Sequence, residues 1–220
     1  MKILVYTVSF GDPKPEYVKL SCQINSEYCA SHGYDFKEFE LDASFERHPA
    51  WGRVWFLKEE ISNYDYMFYI DGDAFFCNQA KNLNSIIGYL DEPEVCGVFA
   101  RDQMLENAVF HSEQPNAGSF LFSNQTLGKK LADAWWDVPT SNYEGTFYDS
   151  NRYLDNQDTL HHHPYEQLAL WFLWRENTLN FRFVRNYKEL NGLNGEFVRH
   201  LIKVPDLERA RIMSGYINNK

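Results

Sequence analysis

The sequence predicts an α/β fold, a twisted and mostly parallel sheet with helices on both faces. Short apolar runs alternate with helix-periodic segments, the pattern of βαβ units and so of parallel strands. One run, Tyr66-Met67-Phe68-Tyr69-Ile70, is apolar throughout, as in a strand covered on both sides. It leads directly into Asp71-Gly72-Asp73, and open α/β sheets bind ligands at the carboxyl ends of their strands.

The elements follow in order. Residues 3–8 form a buried first strand, ended by Gly11-Asp12-Pro13. Residues 15–31 read as a helix closed by Gly33. Residues 34–41 alternate polar and apolar and are predicted as a strand; residues 51–62 are predicted as a helix. After the aspartates come a short helix at 83–90 and a buried strand at 95–100. The second half is less regular. A strand is expected at 118–123 and a helix at 125–137, with Leu127, Leu131, Ala134 and Trp135 on one side. Residues 138–160 are polar and read as a long irregular loop. Residues 165–176 form an apolar helix whose Trp171, Phe172 and Trp174 read as core, and residues 181–185 and 197–202 are late strands.

The chain has 220 residues, which fits one domain over residues 1–220. It is 44% hydrophobic and 17% aromatic, enough for a sizeable core. A formal net charge of −10 argues against nonspecific binding to nucleic acid or anionic lipid. An acidic protein that handles an anionic substrate must reverse its local field, and a divalent cation with a few Lys and Arg would do so. Cys22, Cys29, Cys77 and Cys96 are scattered without a CxxC pair, so reduced thiols are expected and a zinc site is not. No signal peptide and no membrane-length apolar run is evident, so the expectation is a soluble, cytoplasmic chain.

Asp71 and Asp73 carry the first functional reading. In extended backbone, residues two apart point the same way, so both carboxylates can reach one cation. Gly72 would let the chain turn and a ligand approach closely. Hard oxygen donors suit Mg²⁺ or Mn²⁺. Asp-Gly-Asp is also ordinary turn chemistry, and only its place at a strand end raises the metal reading above that. Read alone, His200 is an ordinary strand histidine, and only its late position and its spacing to Lys203 bring a ligand reading level with that; Arg53 could be a solvated helix charge and Asn116-Ala117-Gly118 a turn entering a strand. His161-His162-His163 cannot all point one way and read as a solvated loop. Of Trp135-Trp136, one is expected in the core and one at the surface or toward an acceptor.

Several segments together resemble one family. Trp51-Gly52-Arg53 with Lys58, then Tyr64 to Phe76, then Asn116 to Asn124, Ala134-Trp135-Trp136, Glu166-Gln167, and His200 with Lys203 come in the order seen in GT-A glycosyltransferases. They look most like glycosyltransferase family 34, the galactosyl-, mannosyl- and xylosyltransferases. The resemblance implies a GT-A fold with a Rossmann-like sheet and a retaining, metal-dependent transfer of a sugar. The donor would be a nucleotide sugar, UDP-linked, and the acceptor a glycan hydroxyl. It implies Mn²⁺ (or Mg²⁺) at the Asp-x-Asp pair, Asp71 and Asp73, completed by His200. Lys203 would reach the donor phosphates, with Arg53 and Lys58 on the other side. Asn116, Ala117 and Gly118 would floor the sugar and acceptor site. The family's acidic-Gln pair, usually begun by Asp, is Glu166-Gln167 here.

The chemistry can also be reached from the residues. A leaving diphosphate gains negative charge, which a metal backed by Lys and Arg stabilises. The sugar gains oxocarbenium character, which a flanking carboxylate or amide oxygen such as Glu166 or Gln167 stabilises. Glu166 is expected in the first turn of its helix, whose partial positive field favours the ionised carboxylate. The base would bind where the first strand ends, at Tyr6, Thr7 and Val8. The rivals are an inverting GT-A enzyme with a carboxylate base, a sugar nucleotidyltransferase, and a non-catalytic glycan-binding domain. The nucleotidyltransferase would carry a Gly-rich basic loop after the first strand, and Ser9-Phe10-Gly11-Asp12-Pro13 is not one.

Overall fold

The computed structural model describes residues 1–92, 94–101, 115–138, 165–175, 180, 182–184 and 187–219. The expected loop at 138–160, beyond Val138, and the three histidines lie outside the described residues.

A six-stranded sheet organises the chain, in the order β2-β1-β3-β6-β5-β7. Its strands are β1 (Ile3–Ser9), β2 (Asp35–Glu40), β3 (Tyr66–Ile70), β5 (Gly97–Arg101), β6 (Pro115–Ser123) and β7 (Arg182–Val184). β1 pairs in parallel with β2 and β3, and β5 with β7; only β6 runs antiparallel to its neighbours. The sheet is therefore mixed and mostly parallel, as the alternation of elements predicts.

Period-two burial separates two cores. Leu4, Tyr6, Met67, Tyr69, Phe120 and Phe122 face one side, against Val54 and Leu57 of α2 (Gly52–Glu60) and Trp51 of the turn just before it. α4 (Thr126–Asp137) and α5 (Tyr165–Arg175) pack there too, through Leu131, Trp135 and Leu170. Ile3, Val5, Phe68, Ile70 and Leu121 face the other side, against Tyr28 and Cys29 of α1 (Glu16–His32) and Ile86 of α3 (Asn84–Ile87). Trp135 is completely buried, while Trp136 is half-buried at the surface, so the pair divides as expected. Trp171 is core, and its indole N–H donates to the Pro115 carbonyl, 2.7 Å. All four cysteines are free thiols.

A second, two-stranded sheet decides the position of the site. β4 (Ala74–Phe76) follows the aspartates and pairs antiparallel with β8 (Val198–His200), placing Ala74 opposite His200. α6 (Tyr187–Leu190) precedes β8 and α7 (Asp206–Asn218) follows it. Phe75 and Met213 bury α7 against Ile24 of α1. β4, α6 and α7 have no counterpart in the sequence reading.

Candidate active site

β3 delivers Asp71 to the carboxyl edge of the sheet, and a tight turn delivers Asp73. The Ala74 N–H donates to the Asp71 carbonyl at 2.9 Å, so the segment is not extended. This corrects the geometry expected from i, i+2 alternation: the carboxylates converge because the chain folds back. Nor does Gly72 supply that turn through unusual backbone. It has no left-handed φ, and a methyl there would meet only Val18, at 3.4 Å.

His200 completes a trio. Its Nε2 lies 3.0 Å from Asp73 Oδ1 and 3.5 Å from Asp71 Oδ2. The ligand atoms of the three residues all lie within 4.8 Å of one another. His200 Nδ1 contacts Asn191 Oδ1 at 2.6 Å. Asn191 Oδ1 can only accept, so Nδ1 carries the proton and Nε2 presents its lone pair to the aspartates when the ring is neutral. The ring passes so close to Gly118 that a Cβ there would collide with it. Gly118 therefore has a steric reason to be glycine: it lets the imidazole lie on the sheet. Two carboxylate oxygens and one imidazole nitrogen suit a divalent cation, so the residues present fit the implied metal.

Each aspartate has a second oxygen, and an arginine holds it. Asp71 Oδ1 meets Arg53 Nη2 at 2.9 Å and accepts from the Tyr69 hydroxyl at 2.5 Å. Asp73 Oδ2 meets Arg209 Nη2 at 2.9 Å. Arg53 reaches this point because Gly52 lets the start of α2 press onto Val8 and Leu41. It also donates to the Ala117 carbonyl at 2.7 Å and lies 3.4 Å from Glu166 Oε1. Tyr6 holds the same helix, donating from its hydroxyl to the Arg53 carbonyl at 2.7 Å.

Asn116, Ala117 and Gly118 lie inside β6 and not in a turn before it. The pairing with β5 skips from Phe120 to Asn116 between Phe99 and Ala100, so the intervening residues leave that ladder. Such an irregularity re-aims a strand beside a site. Here it frees the Ala117 carbonyl for Arg53 and its N–H for Gln167 Oε1, 3.0 Å away.

Burial and charge set the titrations. Burial pushes the Asp71 carboxyl up, and Arg53 and His200 only partly offset this. Burial acts on Asp73 in the same sense, but His200 and Arg209 outweigh it and its pKa is lowered. Burial opposes charge on His200, yet the two aspartates prevail and its pKa is raised. Glu166 stands in the first turn of α5, as expected, and is completely buried. Its helix-terminal field does not dominate: burial raises the pKa, with Arg53 opposing.

The remaining expected residues divide. Val8, Arg53, Tyr69, Asp71, Gly72 and Asp73 line one cleft of about 280 Å³. Thr7 is completely buried beside it, with no hydrogen bond to its hydroxyl. Lys203 is exposed three residues beyond His200, on a left-handed backbone at φ 59°. Lys58 is not brought to the aspartates; it faces Asp133 at 3.4 Å and Asp137 at 3.9 Å on α4. Sequence reasoning missed Tyr69 as a hydrogen-bond donor to Asp71, and Asn191 and Arg209 altogether. No local pattern marks the last two, because the pairing of β4 with β8 is what brings them in.

This sheet, with aspartates at the end of its central strand, has the architecture of a GT-A glycosyltransferase. The profile of the galactosyl transferase GMA12/MNN10 family matches residues 2–194, and the chain belongs to that family, glycosyltransferase family 34. Solved structures agree in fold. A glycosyltransferase involved in glycosylation of the major capsid of the virus PBCV-1 aligns at TM-score 0.68 and 18% identity, covering 98% of this chain and 100% of the other. GlyE of Streptococcus pneumoniae TIGR4, in its apo form, aligns at 0.59 and 15%, covering 100% and 63%. The galactosyltransferase LgtC, solved with donor and acceptor sugar analogs, aligns at 0.51 and 12%, covering 98% and 95%. No curated protein matches. No helix among the described residues is long and apolar enough to cross a membrane.

Proposed function

We propose that this glycosyltransferase moves a sugar from a UDP-linked donor to a glycan hydroxyl, with retention and with Mn²⁺ or Mg²⁺ held by Asp71, Asp73 and His200. The observation that carries the reading is the convergence of those three side chains at the carboxyl edge of the sheet. A bound divalent ion supplies Lewis-acid stabilisation to the leaving diphosphate.

The chain's own residues take the other roles. The uridine lies at the end of β1, by Thr7 and Val8 and over the Tyr6–Arg53 layer. Lys203 faces the diphosphate, and in a chain of net charge −10 such a local cation is needed. Asn116, Ala117 and Gly118 floor the sugar site. Glu166 and Gln167 stand behind that floor, Gln167 accepting from the Ala117 N–H and Glu166 ion-paired with Arg53 at 3.4 Å. Their oxygens stabilise positive charge developing on the sugar. Lys58, turned toward α4, has no part in donor binding.

Calorimetry of UDP with the purified protein tests the reading. Binding is expected with Mn²⁺, and its loss with EDTA and in Asp73→Ala. Equal affinity in Mn²⁺ and EDTA would remove the metal from the mechanism. The anomeric configuration of the product separates a retaining from an inverting reaction.

A further inference from the structure

Each aspartate of the trio turns one oxygen toward His200 and gives the other to an arginine. Arg53 belongs to the helix that precedes the metal strand. Arg209 comes from α7, beyond residues 2–194 that carry the family match. Arg209 is anchored by more than Asp73. Its Nε donates to the Leu201 carbonyl at 3.1 Å, its Nη1 meets Asp206 at 3.2 Å, and its guanidinium lies 4.9 Å from the centre of the Tyr17 ring. The Leu201 N–H in turn donates to the Asp73 carbonyl at 3.0 Å. Asp73, Leu201 and Arg209 thus close a clip that holds both the backbone and the carboxylate of Asp73.

We propose that Arg209 is a positioning residue for the metal centre, fixing Asp73 so that it offers a single oxygen beside His200. The proposal rests on the metal reading of the trio given above. A carboxylate anchored at one oxygen is turned so that it offers an ion the other. One oxygen serves the smaller Mn²⁺, whereas the larger Ca²⁺ takes carboxylates in bidentate as well as monodentate fashion. The clip therefore sets ion selectivity as well as affinity. A planar fork with Nε and both Nη groups engaged cannot be reproduced by the single ammonium of lysine.

The test titrates Mn²⁺ and Ca²⁺ separately into the full chain by calorimetry, with melting curves in EDTA alongside. Arg209→Met is expected to weaken Mn²⁺ binding about 10–100-fold, the usual cost of losing an outer-shell partner. It should weaken Ca²⁺ less, so the Ca²⁺-to-Mn²⁺ affinity ratio rises. Arg209→Lys should not restore the wild-type ratio. Asp206→Asn, which loosens the clip without touching Asp73, should shift the ratio in the same direction by less and covers the case in which Arg209→Met fails to fold. An unchanged ratio in the folded variants overturns the proposal, as does full restoration by lysine, which would make charge alone sufficient. A wild-type protein that takes up neither ion overturns the metal centre and the clip together.

Discussion

Arg53 and Arg209 hold the two aspartates at the same distance, 2.9 Å, but the regions around them differ. Arg53 lies between Asp71 and Glu166, and Glu166 is completely buried. Arg209 lies between Asp73 and Asp206, whose side chain is 66% exposed. Water can solvate Asp206 without its arginine, but it cannot reach Glu166. Arg53 is therefore an electrostatic keystone of the fold, and Arg209 a local clamp. A buried pair contributes little net stability while intact and a large penalty when one partner is removed.

The largest expected effect follows from that contrast. Arg53→Met strands a buried carboxylate and should cost about 3–5 kcal/mol of unfolding free energy. Arg209→Met strands no fully buried charge and should cost much less. Urea denaturation of both variants in EDTA measures the difference. Equal losses would mean that the burial of Glu166 does not matter and that the two arginines are equivalent.

A second comparison sets the aspartates against each other without metal. The pKa of Asp73 is lowered from the ordinary 3.8, so its ionisation stabilises the fold above the unfolded value, and that stability is lost as pH falls through the folded one. The pKa of Asp71 is raised, so its contribution has the opposite sense and is lost as pH rises. At neutral pH in EDTA, Asp73→Asn should lower the melting temperature and Asp71→Asn should not. Each kcal/mol should appear as about 2–4 °C in a chain of this size. If both variants melt alike, Arg53 compensates Asp71 as completely as Arg209 does Asp73.

The same contrast shows what was legible in the sequence. The sheet could be read because its strands are continuous apolar runs and its helices are periodic. Asp71 and Asp73 could be read because they follow such a run directly. The convergence of their carboxylates could be anticipated, but not its cause, since a turn closed between Asp71 and Ala74 has the same composition as an extended Asp-Gly-Asp. Arg53 was accessible through the family resemblance, whereas Lys58 shared that basis and turned to α4. Arg209 and Asn191 were not accessible at all. β8 is short, and its pairing with a three-residue β4 is a non-local event that leaves no periodic signal.

The smallest effect concerns Glu166, and it isolates the keystone from the chemistry. Replacement by Gln keeps the shape and removes the charge. Arg53 retains Asp71 at 2.9 Å and the Ala117 carbonyl at 2.7 Å, so what is lost is the charge of the ion pair with Glu166 and not a hydrogen bond. Because burial raises the pKa of Glu166 above the ordinary 4.5, the folded protein holds that proton more tightly than the unfolded chain does. The wild type therefore loses stability as pH rises from the unfolded value through the folded one, a loss that a non-titrating glutamine does not share. The melting temperature of Glu166→Gln minus that of wild type should grow as pH rises from the unfolded value through the folded one. A difference of about 2–4 °C would correspond to 1 kcal/mol. A flat or falling difference would mean that the attraction between Arg53 and Glu166 exceeds the cost of burying the charge. In that event Glu166 stands ionised behind β6 because the fold favours it there, and its charge persists without any demand from catalysis.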